Sequence, residues 1–358
     1  MKLFQCQKCG QLLYFENTRC ESCGLALGYL PADGILSALE PRGGDIWEPL
    51  TQRGCTYRYC ANAFYGVCNW MTPMEESRRY CLACQLNRTI PDLSDPANRQ
   101  RWWLLEGVKH RLVYSMLRLG LPFAAKGDNP ATGLAFDFLS GSSQGCRETA
   151  TLLTGHLNGV ITIDTGEADP AERERRRTDM AESYRTLPGH FRHEIGHYYW
   201  GRFFQNETWL AEFRRSFGDE RQDYGQALEA HYASGPPPDW RDRFVSAYAS
   251  AHPWEDWAET WAHYLHIVDT METASAFGVA PRGRTGSRPT LAADPNFDPY
   301  HEPNFDRLIE TWLPLTYAVN SLNRSMGQPD LYPFVLSPGA LEKLRFVHDL
   351  IRRVQPTD

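Results

Sequence analysis

Nine of the ten cysteines of this 358-residue chain lie before residue 85, and their spacing is that of metal ligands. Cys6-x2-Cys9 and Cys20-x2-Cys23 are two knuckles, each followed by a glycine, Gly10 and Gly24. Glycine at that place lets the backbone turn so that its amides approach the thiolates. Four thiolates from two tight turns complete a tetrahedral zinc site, and residues 1–30 hold too little apolar surface to fold without one. A structural zinc ribbon is expected there. The second group contains Cys55, Cys60, Cys68, Cys81 and Cys84. Cys81-Leu82-Ala83-Cys84 is a third knuckle, so a second zinc is expected on Cys60, Cys68, Cys81 and Cys84. Cys55 is left as a spare or a substitute ligand. Cys146, alone in a Gly/Ser-rich stretch, reads as a surface or core thiol and not as a nucleophile.

Composition narrows the class. Hydrophobic residues make up 42% of the chain, with 11 Trp, 17 Tyr and 17 Phe, which is enough for a substantial core. No apolar run approaches a membrane span, and Met1-Lys2-Leu3-Phe4-Gln5-Cys6 has no room for a signal peptide. A cytoplasmic protein is therefore expected, in which cysteines bind metal in preference to forming disulfides. Net charge is -7, and residues 1–100 balance ten Lys/Arg against ten Asp/Glu. With no basic stripe to meet phosphates, no nucleic-acid partner is expected, and the ribbons read as structural or protein-recognition modules.

The chemistry is carried by His193-Glu194-Ile195-Gly196-His197, an H-E-x-x-H motif flanked by Tyr198, Tyr199 and Trp200. Residues four apart share a helix face, so His193 and His197 present two imidazoles to one zinc ion. Glu194 then stands where it can act as general base on a water held there. A catalytic zinc needs a third protein ligand. No histidine follows His197 until His231, so the donor is sought in Pro253–His266. There Glu255, Glu259 and His263 are spaced four apart on one helix face, amid Trp254, Trp257, Ala258, Trp261, Ala262 and Leu265. Polar groups on so apolar a helix are costly to bury without a partner, which a zinc ion and its histidines would supply.

Elsewhere the pattern is mostly helical. Asp95-Pro96 starts a helix, continued by Trp102, Trp103, Leu104, Val108, Leu112, Met116 and Leu119 as core and stopped at Gly120. Leu134–Leu139 and Gly159–Asp164 read as strands of a small sheet beside the H-E-x-x-H helix, with Leu157-Asn158-Gly159 as a turn. Glu172–Arg177 is a solvated helix face. Leu187-Pro188-Gly189 interrupts, and the active helix is expected after it. Further helices are expected at 207–233, from about Pro253 to about Phe277, near 304–326 and near 338–353. Pro31–Pro49 reads as a linking loop and residues 278–300 as a long irregular one. The expected class is α+β. Two small four-cysteine modules (residues 1–30, and 31–100 with the linker) precede a mostly helical domain at 101–358 with a small sheet.

His193-Glu194-x-x-His197 followed by Glu255-x-x-x-Glu259 resembles the gluzincins, in which a downstream Glu is the third ligand and a second acidic residue hydrogen-bonds a ligand His. That resemblance implies Glu255 as ligand and Glu259 as the group that orients an imidazole, with the swap of the two left open. Tyr248, seven residues before Glu255, is similar to the oxyanion-stabilising tyrosine of lethal-factor-like gluzincins; His263 and His190 compete for that role. Over nearly its full length the chain resembles a bacterial family of zinc-ribbon-containing, zinc-binding metallopeptidases. The similarity is carried by Cys60-Ala61-Asn62, Cys68-Asn69-Trp70, Thr154-Gly155-His156, Glu167-Ala168-Asp169, Tyr184-Arg185-Thr186-Leu187, Gly189–Glu194, Asp256–Tyr264 and Asn323–Gly327. A zinc endopeptidase acting on protein or peptide, with one catalytic and two structural zinc ions, is the function this implies. The alternatives are a Spartan-like protease of DNA-bound proteins and a non-proteolytic zinc-ribbon binding protein.

Overall fold

The computed structural model describes residues 1–140, 154–179, 184–283 and 291–355. Its chain is mixed α+β, with small sheets and two cysteine clusters in the N-terminal part followed by a helical part. It gathers into two compact units, Met1–Met116 with Phe123–Arg173, and Leu117–Pro122 with Glu174–Asp358.

The first unit begins with a short hairpin of β1 (Phe4–Gln5) and β2 (Leu12–Leu13). An antiparallel five-stranded sheet follows in sequence order: β3 (Ala26–Leu30), β4 (Ile35–Gly43), β5 (Ile46–Pro49), β6 (Tyr57–Tyr59) and β7 (Met71–Pro73). The expected linker Pro31–Pro49 is thus largely strand. Its Gly and Pro residues punctuate turns and a bulge near Pro41–Gly43, while Leu39 joins Leu30 and Met71 in a core cluster on which Trp47 packs. One sheet therefore runs from the first cysteine module into the second. Next come β8 (Asn87–Thr89) and α1 (Pro96–Arg118), the latter starting at the Asp95-Pro96 signal, with Asp95 Oδ1 accepting from Ala97 N. Trp102 is fully buried, but Trp103, one position round the helix, is 52% exposed and is not core as expected. Phe15, Tyr29, Trp70 and Tyr114 form an aromatic cluster with ring centroids 4.8–6.4 Å apart. The two expected strands are β9 (Ala135–Leu139) and β11 (Val160–Asp164), paired in parallel and flanked by β8 and by β10 (Gly155–Leu157). The turn before β11 uses Asn158 at φ 50° and Gly159 at φ 79°. This sheet belongs to the first unit, whereas the H-E-x-x-H helix belongs to the second. Helix α2 (Pro170–Asp179) carries the expected charge run. Cys146 lies outside the described residues.

The second unit is helical. Helix α3 spans Leu187–Phe203, with Thr186 as N-cap and Pro188 in its first turn, so the Leu-Pro-Gly stretch starts the helix where an interruption was expected. Proline fits there because the first-turn amides have no partner inside the helix. The single helix expected over 207–233 is two, α4 (Glu207–Phe217) and α5 (Tyr224–Ser234), divided at Gly218 with φ 106°. After α6 (Trp240–Arg243) come α7 (Pro253–Phe277), α8 (Phe305–Ser325) and α9 (Pro338–Val354), the last three near their expected bounds. Helix α7 is the hub, packing on α3, α4, α8, α9 and the turn Tyr248–Ser250. Among the described residues no helix is long and apolar enough to cross a membrane.

Candidate metal centres

The H-E-x-x-H helix and α7 touch at a point made close by a missing side chain. A Cβ on Gly196 would meet Ala258 Cα at 3.0 Å and Trp261 Cβ at 3.2 Å, and Trp257 Nε1 donates to Gly196 O at 2.8 Å. That approach sets Glu255, near the start of α7, against the two histidines of α3. His193 Nε2 and His197 Nε2 are 3.2 Å apart, and the Glu255 carboxylate spans them, with Oε2 3.0 Å from His193 Nε2 and Oε1 3.5 Å from His197 Nε2. Tetrahedral ligands at about 2.0–2.1 Å from zinc stand about 3.3 Å from one another, so this triangle fits that ion. Glu255 is 1% exposed, a cost that only a cation or proton donors can offset.

Neighbouring side chains hold His193 and Glu255 in place. His193 Nδ1 donates to Glu259 Oε1 at 2.8 Å, which leaves Nε2 to face Glu255 and His197. Glu259 Oε2 accepts from Ser246 Oγ at 2.6 Å, and Ser246 Oγ accepts from Ala249 N. Tyr224 OH donates to Glu255 Oε1 at 2.8 Å. Burial opposes the charged form of His193, yet Glu255 and Glu259 together hold its pKa well above the usual histidine range. Burial likewise opposes the Glu255 carboxylate, and His197 and His193 pull its pKa well below normal.

Glu194 is buried, and its Oε2 has no hydrogen-bond partner among the described residues. Tyr248 packs at a ring distance of 6.0 Å from His193, and burial, then the Glu255 charge, push its phenol pKa well above normal. His263 points to a different neighbour, with Nδ1 2.6 Å from Tyr332 OH and its ring against Phe334. Burial lowers its pKa to about 4. His190 stands one turn before His193 on α3. Tyr224 and Ser246 escaped the sequence reading because each reaches the site across a fold, 31 and 13 residues from its partner, with no helical period to betray it.

Both cysteine groups close into four. Cys6 and Cys23, and Cys9 and Cys20, stand 3.6 Å apart, and Gly10 and Gly24 adopt φ 74° and 76° to let their amides turn back onto Cys6 O and Cys20 O. Cys60, Cys68, Cys81 and Cys84 gather into the second group, with Trp70 N donating to Cys68 Sγ and Cys81 N to Cys60 Sγ, each at 3.4 Å. Cys55 is exposed and outside it. Sequence reading missed His110 of α1, whose Nε2 lies 3.2 Å from Cys68 Sγ.

Residues 98–350 match a family model described as "Putative zinc-binding metallo-peptidase", and residues 3–95 match a zinc-ribbon domain. The two matches divide the chain near residue 96, whereas the spatial units divide near 173. Proteins named only as uncharacterized, from Mycobacterium bovis and from two strains of Mycobacterium tuberculosis, are 42% identical over 357 residues. Those alignments cover 99% of this chain and 97% of each relative. No solved structure matches.

Proposed function

This chain belongs to the zinc-binding metallo-peptidase family that carries an N-terminal zinc ribbon, and we propose that it is a gluzincin-type zinc endopeptidase. The triangle of His193 Nε2, His197 Nε2 and Glu255 at 3.0–3.5 Å is the observation that carries this reading. His193, His197 and Glu255 would hold the ion. When bound, zinc supplies Lewis acidity toward an attacking water and the scissile carbonyl.

The chain's own residues do the rest. Glu194, next to His193 on α3, takes a proton from the attacking water and returns it to the leaving amine. Its buried, unpartnered Oε2 favours that role over a structural one. Glu259 holds His193 by Nδ1, and Ser246 holds Glu259, so the imidazole cannot rotate away from the triangle. Glu259 is occupied on both oxygens by these partners, which supports Glu255 as the ligand and Glu259 as its positioning carboxylate. Tyr248, still protonated at neutral pH, donates to the oxyanion that forms on the substrate carbonyl. The bond to Tyr332 supports a structural role for His263 in place of oxyanion stabilisation. The two four-cysteine centres are structural, and the ribbon half recruits a protein substrate.

The test is profiling of new protein N-termini in a bacterial lysate incubated with wild-type protein or with Glu194→Gln. New termini made by the wild type alone are expected and would reveal the cleavage preference. Identical termini in both samples would overturn the peptidase reading and favour a zinc-ribbon binding protein.

A further inference from the structure

The second cysteine group holds one donor more than a tetrahedral ion can use. Helix α1 turns Glu106, Lys109 and His110 inward, 0%, 0% and 4% exposed. His110 Nδ1 is 2.6 Å from Glu106 O, a carbonyl that can only accept, so Nδ1 carries the proton. In the neutral ring Nε2 then presents a lone pair, the arrangement in which a backbone carbonyl fixes the tautomer of a metal-binding histidine. Trp70 packs across the ring at 5.1 Å.

Distances decide which donors belong together. With sulfur at about 2.3 Å and nitrogen at about 2.1 Å from zinc, tetrahedral neighbours stand about 3.8 Å apart for two sulfurs and about 3.6 Å for sulfur and nitrogen. His110 Nε2 lies 3.2 Å from Cys68 Sγ, 3.8 Å from Cys84 Sγ and 3.9 Å from Cys81 Sγ, and Cys68 and Cys81 are 3.7 Å apart. Nε2 therefore caps the face made by these three sulfurs, as a fourth vertex would. The Glu106 carboxylate, 3.9 Å from Cys84, is already taken by Lys109 Nζ at 2.8 Å, Asn87 Nδ2 at 2.6 Å and Trp102 Nε1 at 3.0 Å.

We propose that this is a five-donor zinc centre in which His110 Nε2 can replace the Cys60 thiolate, so the ion stays bound with Cys68, Cys81, Cys84 and His110 when Cys60 is lost. The inference is independent of the peptidase reading, since none of these residues belongs to the H-E-x-x-H site.

The test uses the full chain as wild type, Cys60→Ser, His110→Gln and the double variant, with zinc per chain measured after dialysis and the visible spectrum recorded after cobalt(II) substitution. Cys60→Ser is expected to keep the wild-type number of zinc ions. Its cobalt bands should move to shorter wavelength, as nitrogen replaces sulfur. The double variant should lose one equivalent, and His110→Gln alone, with four thiols, should lose none. Cys60→Ala repeats the measurement with no oxygen in place of the sulfur. Loss of one equivalent in both single Cys60 variants, or an undiminished count in the double variant, would overturn the proposal.

Discussion

His193 is the residue with the most to lose, because both of its nitrogens are committed. Its Nε2 meets Glu255 and its Nδ1 meets Glu259, and the two carboxylates do different work. Glu255→Ala is expected to remove one zinc equivalent and leave the two cysteine centres full. Glu259→Ala, which only frees the imidazole, should weaken binding at that site by about 10–100-fold. Metal analysis across a chelator series separates the two, and the opposite ranking would make Glu259 the ligand. His263 allows a prediction in pH. Its folded pKa of about 4 lies below the ordinary 6.5, so between those values the unfolded chain binds a proton that the folded one refuses. Its share of stability is complete above pH 6.5 and declines as pH falls toward 4, by on the order of 3 kcal/mol in full. Urea unfolding of wild type and His263→Gln over that range should show the wild type losing more, and parallel curves would contradict the buried neutral imidazole.

Elements were legible where a period carries the signal and obscure where a contact does. Helix α7 could be read because Glu255, Glu259 and His263 repeat every four residues among tryptophans, and α1 because Asp95-Pro96 announces it. Reading Pro31–Pro49 as a linker missed β4 and β5, because the Gly and Pro that read as loop signals sit in the tight turns and the bulge that join neighbouring strands. The break at Gly218 was hidden for a similar reason, since a glycine reads as a stop only when its φ is known. Gly196 carries the same lesson into the site. In the sequence it is an anonymous x of H-E-x-x-H, yet it sets the distance between α3 and α7. Gly196→Val should push the helices apart, with a cost of about 1–3 kcal/mol from overpacking. Glu255 would then fall out of reach of the histidines. Thermal unfolding and zinc content should fall together in this variant, and unchanged zinc would show that the close approach does not set the triangle.

At the scale of the second unit, the triangle of His193, His197 and Glu255 depends on how α7 is anchored, and part of that anchor lies 87 residues away. Asp256, the neighbour of Glu255 and 0% exposed, accepts from Lys343 Nζ of α9 at 2.5 Å, and Lys343 also donates to Arg243 O at the end of α6. One buried pair thus ties three helices. Burial pushes the Asp256 pKa up to about 7, against the pull of Lys343, and lowers that of Lys343. An ion pair so placed contributes little net stability while intact, since desolvation offsets its attraction, but breaking one side strands a charge. Lys343→Met is therefore expected to cost about 3–5 kcal/mol, and Asp256→Leu with Lys343→Met to recover most of it. The single variant should also bind zinc more weakly at the H-E-x-x-H site, although Lys343 touches none of its ligands, because the first turn of α7 carries both Asp256 and Glu255. Denaturant unfolding with a double-mutant cycle measures the coupling, and zinc titration of the same proteins reads its reach. A Lys343→Met protein that unfolds earlier but binds zinc as tightly as wild type would mean that Trp257, Gly196 and Tyr224 hold Glu255 in place without it, and that the anchor serves only the stability of the helices.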